Sequence, residues 1–281
     1  MTNQPQHRRK RRRRNQFPTK AILACLLAAA ALALILLYLS RSFSEKRSED
    51  SPPSPTPTQT QAPATPSPSP SPTSTPVPTF PQAVPESPRV EQSYLDDAVF
   101  IGDSRTEGLL LYTGLTNTTG YTYKGLMVDT VFTKPVINQN GQMVTVIDAL
   151  RSTQFSKVYI MLGINELGWA YPNLFIEKYK QIIDTIRQIN PNAIIYVQEI
   201  LPVSQKVSET HSYITNEKIS QFNQLLMTMT QEKEVYYLQV SQAVADSQGY
   251  LPAEAASDGI HLTPSYCRKW LDYLLCHTVS P

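Results

Sequence analysis

Three short segments of the chain hold, between them, the parts that acyl transfer through a serine requires. Phe100-Ile101-Gly102-Asp103-Ser104-Arg105 puts a serine just past a β-branched and aromatic run, at a strand-to-helix turn where its hydroxyl can face a crevice. Leu162-Gly163-Ile164-Asn165-Glu166 offers an amide after another such run, and Ser257-Asp258-Gly259-Ile260-His261-Leu262 offers a carboxylate and an imidazole. A serine hydroxyl is a poor nucleophile until a base takes its proton. The base needs a carboxylate to fix its tautomer, and the tetrahedral intermediate needs donors aimed at its oxygen. Asp258 and His261, with Gly259 between them, can turn toward each other and leave the second imidazole nitrogen for Ser104. Singly, each residue has a plainer reading: Ser104 as a helix N-cap, Asp258 and Asn165 as turn residues, His261 as a surface histidine. Their occurrence together points to chemistry.

Other chemistries find less support. His7, His211, His261 and His277 form no His-x-x-x-His pattern and the cysteines no Cys-x-x-Cys, so neither a metal nor a cofactor is expected. His211 falls in a polar stretch and reads as solvated. Cys267 and Cys276 lie on one expected helix about 13 Å apart, beyond the reach of a disulfide. From Ser40 onward 17 Lys and Arg face 23 Asp and Glu, a net of −6, which does not favour gripping nucleic acid by charge.

The elements that must position these residues follow from the apolar runs. Residues 98–103, 157–162, 193–200 and 235–240 read as buried parallel strands, and Tyr121-Thr122-Tyr123-Lys124-Gly125 adds another. Phe175, Tyr179, Ile182, Ile183, Ile186 and Ile189 recur at helical spacing up to Asn190-Pro191, as do Ile219, Phe222, Leu225, Leu226 and Met229. A last helix starts near Thr263-Pro264 and carries Trp270, Tyr273 and Leu274. No internal repeat is found. This alternation predicts an α/β doubly wound parallel sheet, with the three segments just past the carboxyl ends of its strands.

Before that domain, expected over 90–281, lie three regions of different physics. Residues 1–20 form a basic tail with Arg8-Arg9-Lys10-Arg11-Arg12-Arg13-Arg14 and no acid. Residues 21–39 carry no charge over nineteen positions, about 28 Å as a helix and enough to cross a bilayer. Basic residues before the span, and mixed charge after it, keep the N-terminus cytoplasmic. The run exceeds the ~7–15 residues of a signal peptide's apolar region and lacks its Ala-x-Ala end, so an uncleaved single-pass transmembrane helix is the expectation. Residues 40–89 follow as a disordered linker: 14 of the 23 prolines fall within residues 51–88 among Ser and Thr. As polyproline II that stretch reaches about 120 Å. It serves as a stalk, or as a linker with no length requirement.

The order Gly-Asp-Ser, Gly-x-Asn, Asp-x-x-His resembles the SGNH hydrolases, the GDSL-type esterases and lipases, over roughly residues 96–277. That resemblance implies a flavodoxin-like sheet with Ser104 as nucleophile, His261 as base and Asp258 as the orienting carboxylate. It also implies an oxyanion hole of the Ser104 N–H, a glycine N–H and the Asn165 side chain. The glycine is assigned to Gly125, with Gly114 and Gly120 nearby. The chain departs from the family pattern at Glu166, where Asp is common, and at Arg105, where a small or aliphatic residue is common. Both departures bear on the substrate pocket, so Arg105 and Glu166 are substrate-side candidates, with Trp169 beside the Asn165 segment as a third. For each there is an alternative: a salt bridge from Arg105 to Glu107 or Asp103, a supporting position for Glu166, and wall packing for Trp169 and Tyr171. The expected function is an extracytoplasmic serine esterase at the cell membrane. It would remove acyl groups, acetyl foremost, from cell-envelope glycans. The alternatives are an O-acyltransferase using the same nucleophile, and a catalytically silent glycan- or partner-binding module.

Overall fold

The structure, a computed structural model, describes residues 83–279. The expected basic tail, the apolar span and the linker before Ala83 lie outside those residues, and no helix among the described residues is long and apolar enough to cross a membrane. In chain order the elements are β1 (Ala98–Gly102), α1 (Ser104–Thr113), β2 (Thr119–Thr122), α2 (Thr130–Thr133), β3 (Ile137–Gln139), β4 (Gln142–Val144), α3 (Val146–Arg151) and β5 (Lys157–Met161). Then come α4 (Pro172–Ile189), β6 (Ile194–Gln198), α5 (Gln205–Thr210), α6 (Asn216–Glu232), β7 (Tyr236–Leu238) and α7 (Pro264–Leu275).

Five strands form one parallel sheet in the order β2-β1-β5-β6-β7. The order turns back between β1 and β5. In an open parallel sheet, the carboxyl ends of the strands flanking such a reversal frame a crevice for ligands; here these ends are Gly102 and Met161.

Both faces of the sheet are covered, which is why β1 and β5 are buried at every position and, apart from Lys157 at the start of β5, read as apolar runs. Val99, Ile101, Val158, Ile160, Ile195 and Val197 join a core with α3, α4 and α6. The alternate residues Ala98, Phe100, Tyr159, Met161 and Tyr196 join a second core with α1 and α7. On that second face Phe100, Tyr159 and Tyr196, direct partners in the strand register, stack with ring centroids 4.7 and 4.5 Å apart, the spacing of adjacent strands. Trp270 of α7 donates to Gln198 Oε1 at 2.8 Å, pinning α7 to β6. Because α1 and α7 share this face, the residues at their starts meet at one end of the sheet. Cys267 and Cys276 are free thiols.

Three features differ from the sequence expectation. The packed region begins before residue 90: Val84 is buried, and the N–H groups of Val84, Ser87 and Val90 donate to Tyr237, Cys276 and Leu275 carbonyls at 2.9, 2.6 and 2.9 Å. Pro85 and Pro88 fall at the intervening positions, where no donor is needed, so a proline-bearing segment can still pair with the domain. Second, Asn140 (φ 52) and Gly141 (φ 86) make a two-residue turn closing the β3–β4 hairpin. Third, the last strand forms only over Tyr236–Leu238, with a 3₁₀ turn from Val240.

Candidate active site

β1 delivers the chain into α1 through Asp103, whose Oδ1 accepts the Arg105 N–H at 2.9 Å. Asp103 is therefore the N-cap, and Ser104 is spared that duty. As the first helical residue, Ser104 has an N–H for which the helix supplies no acceptor, at the end carrying the helix's partial positive charge. Its Oγ lies 2.9 Å from Nε2 of His261.

The base is held by its own loop. His261 Nδ1 lies 2.6 Å from Asp258 Oδ2, while Asp258 Oδ1 accepts the N–H groups of Ile260 and His261 at 2.9 and 2.8 Å. Partial burial raises the Asp258 carboxyl, but these N–H groups and the imidazole outweigh it and hold it below its ordinary range. An ionised Asp258 accepts the hydrogen bond of Nδ1–H and so keeps that proton on Nδ1, which leaves Nε2 as acceptor for the Ser104 O–H. Gly259 permits this turn with φ 77, and a side chain there would strike Ser204 and Val207. The loop is further fixed by the Ser204 N–H, which donates to the Gly259 carbonyl at 2.9 Å.

Asn165, past β5, donates through Nδ2 to the Leu126 carbonyl at 3.1 Å and stands 3.5 Å from Asp103 Oδ2. Gly125 occupies a turn closed by Leu126 N–H to Tyr123 O at 2.9 Å, with φ 76. Gly125 adjoins both Leu126, which Asn165 holds, and Lys124, which lines the cleft. Gly114 caps the far end of α1, and Gly120 sits inside β2 opposite Phe100.

The substrate-side candidates are placed differently from expectation. Arg105 is 3% exposed; its Nη1 donates to the Leu201 carbonyl at 2.8 Å, and Nε and Nη2 are buried as well. A bidentate grip on substrate is thereby closed off, and among the described residues no ion pair to Glu107 or Asp103 forms. One step along a helix turns a side chain by about 100°, so the residue after an outward Ser104 faces the sheet. Trp169 is half-buried against the core rather than in the cleft, and Tyr171 is exposed. His211 accepts the Ile214 N–H at 3.1 Å in its own loop.

Glu166 takes the supporting position given as its alternative rather than a place in the cleft. It is fully buried, and its Oε1 accepts the Val128 N–H at 2.7 Å. Together with the Asn165–Leu126 bond this clamps the loop carrying Gly125. Burial, opposed by that N–H and aided by the nearby Asp103, pushes the Glu166 carboxyl up to about 8. The folded chain thus holds a proton that the unfolded chain releases at an ordinary carboxylate pH. This contribution is complete in acid and is lost as pH rises through about 8. The parent is expected to lose on the order of 3–5 kcal/mol from this source between about pH 5 and 9. Denaturation of Glu166→Gln over that range should show a shallower decline; parallel profiles would remove Glu166 as the cause. Asp103, raised by burial, contributes with the same sign in both proteins.

Ser104 and His261 open on a cleft of about 510 Å³, lined also by Glu107, Gly108, Leu111, Tyr112, Lys124 and Pro264. The sequence reading missed Gly108, Leu111 and Tyr112, although they recur on the helix face of Ser104 at the spacing a helix dictates. Among the described residues no group of three His, Cys, Asp or Glu is placed to hold a metal.

Several solved structures are similar to this chain. A structure from Streptococcus pneumonia, provisionally assigned as a platelet activating factor, is similar at 21% identity with a TM-score of 0.52, covering 65% of this chain and 88% of that one. A GDSL-like lipase from Bacteroides thetaiotaomicron VPI-5482 is similar at 14% identity, covering 67% and 89%, with a TM-score of 0.47. A carbohydrate esterase family 3 protein from Talaromyces cellulolyticus is similar at 15%, covering 63% and 93%, with a TM-score of 0.45. The first of these supports a shared fold. No curated protein matches. The model of the GDSL-like Lipase/Acylhydrolase family matches residues 100–266, from β1 to the first turn of α7. The chain therefore belongs to that family and is an ester hydrolase.

Proposed function

We propose that the protein is a membrane-anchored, extracytoplasmic serine esterase that hydrolyses ester-linked acyl groups, acetyl foremost, on cell-envelope glycans. The relay Ser104 Oγ to His261 Nε2 at 2.9 Å and His261 Nδ1 to Asp258 Oδ2 at 2.6 Å carries the reading of the chemistry. The basic tail, apolar run and proline-rich stretch of the sequence support the location. The open cleft, with Glu107 and Lys124 among its lining, suits a short acyl group on a polar alcohol.

In this mechanism Ser104 Oγ attacks the ester carbonyl as its proton passes to His261 Nε2. Asp258 stays ionised and stabilises the imidazolium. The tetrahedral oxyanion accepts from the N–H groups of Ser104 and Gly125 and from Asn165 Nδ2. Collapse breaks the C–O bond, and His261 returns the proton to the departing alcohol. Water, deprotonated by His261, then cleaves the acyl-enzyme and releases the acid.

Removing the Asn165 donor is expected to lower kcat by about 10²–10³, or about 2.7–4 kcal/mol. Steady-state kinetics of Asn165→Ala at saturating p-nitrophenyl acetate checks this, and a loss below about tenfold would take Asn165 out of the oxyanion hole. The substrate reading is tested with an O-acetylated glycan: free acetate should appear as hydroxyls are uncovered. Ester appearing on an added acceptor glycan with no free acetate would contradict hydrolysis. Protease shaving of intact cells should release the domain if it is extracytoplasmic, and full protection would contradict that location.

A further inference from the structure

On α1 the residues four, seven and eight places after Ser104 return to its side of the helix. They are Gly108, Leu111 and Tyr112, and all three line the cleft of Ser104 and His261. Gly108 leaves the floor bare. A Cβ there would meet only the Tyr112 ring, at 3.9 and 4.0 Å, so the ring lies against an open stretch of helix backbone. Leu111 and Tyr112 are 71% and 43% exposed, a neighbouring apolar pair beside a nucleophile with nothing among the described residues covering it. Eight residues of helix set Tyr112 about 12 Å along the axis from Ser104. A short ester does not bridge that distance, but an oligosaccharide does.

We propose that this face of α1 is a subsite for an oligosaccharide: the sugar bearing the ester sits at Ser104, the chain crosses Gly108, and a further sugar stacks on Tyr112. The proposal rests on the esterase reading of the same site. Two observations favour a sugar over a long acyl chain. Glu107 and Lys124 are exposed in the same cleft, where hydroxyls can satisfy their charged heads and methylenes would only desolvate them. The apolar surface is an open strip rather than an enclosed pocket that would bury a chain on all sides. A pyranose matches such a strip, with its C–H face on the Tyr112 ring and Leu111 and its hydroxyls toward the rim.

The test uses the full chain and O-acetylated chito-oligosaccharides from the monosaccharide to the hexasaccharide, beside p-nitrophenyl acetate and p-nitrophenyl octanoate. Parent kcat/KM should climb about tenfold from the shortest sugar to the longest, the scale of one aromatic stacking contact. Tyr112→Ala and Gly108→Leu should each lose about tenfold more on the hexasaccharide than on p-nitrophenyl acetate, chiefly through KM. A parent rate independent of chain length overturns the subsite, as does an equal loss on both substrates. A selective loss on the octanoate ester instead assigns the strip to an acyl chain. Failure of the underlying esterase reading shows separately, as p-nitrophenyl acetate hydrolysis that survives Ser104→Ala.

Discussion

Replacing Ser104 by alanine is expected to lower kcat on a short-chain acyl ester by about 10⁵–10⁶, the cost of removing the nucleophile from a hydroxyl–imidazole–carboxylate relay. The residue that remains cannot form the acyl-enzyme, and what activity survives comes from donors that still bind the substrate oxygen. The fold should tolerate the change. Asp103, not Ser104, caps α1, and Ser104 is half-exposed at the cleft. Steady-state hydrolysis of p-nitrophenyl acetate, with circular dichroism to verify the fold, measures the effect. A folded variant that keeps a tenth or more of the parent rate would mean that another group carries the chemistry.

Asp258→Asn is expected to cost about 10⁴ in kcat while leaving the loop in place. The carboxylate has two tasks on separate oxygens: Oδ1 accepts the Ile260 and His261 N–H groups, and Oδ2 faces His261 Nδ1. An asparagine oxygen can keep the first task. Its NH₂ then faces Nδ1 and favours the tautomer with the proton on Nε2, so the imidazole meets Ser104 as a donor and cannot take its proton. Kinetics separate this from unfolding, because KM should change little while kcat collapses. A loss within about tenfold would show that Asp258 only shapes the loop.

Much of this architecture is legible from residue order, for identifiable reasons. A strand buried on both faces is apolar along nearly its whole length, so residues 98–102 and 158–161 stand out as continuous runs. The helix seams over 175–189 and 219–229 repeat at three and four because one side of each packs on the sheet. The three site segments are local motifs with long-range consequences: two follow the carboxyl ends of β1 and β5 and the third runs into the start of α7, and the parallel topology gathers these ends to one edge. Gly125 was assigned through resemblance, and its turn beside Asn165 is a tertiary fact.

What was not legible depends on direction and burial. Nothing in the local sequence shows that the Arg105 side chain turns inward to the Leu201 carbonyl; arginine is exposed by default. Glu166 has the composition of a surface residue, yet it serves the Val128 N–H from the interior. The segment at 84–90 has the linker's prolines but the domain's hydrogen bonds, and composition cannot separate the two. The Asn140-Gly141 hairpin is a different case. Its two-residue turn signal is present in the sequence, and short flanking strands of three residues each hid it.

The most direct test of the central claim, a nucleophile at Ser104 activated by His261, is covalent labelling of the full chain with a serine-directed fluorophosphonate followed by peptide mass mapping. The account predicts one adduct per chain, on the peptide carrying Ser104, formed much more slowly in His261→Ala and absent in Ser104→Ala. An unlabelled Ser104 in the folded parent, or equal labelling after Ser104→Ala, would contradict it.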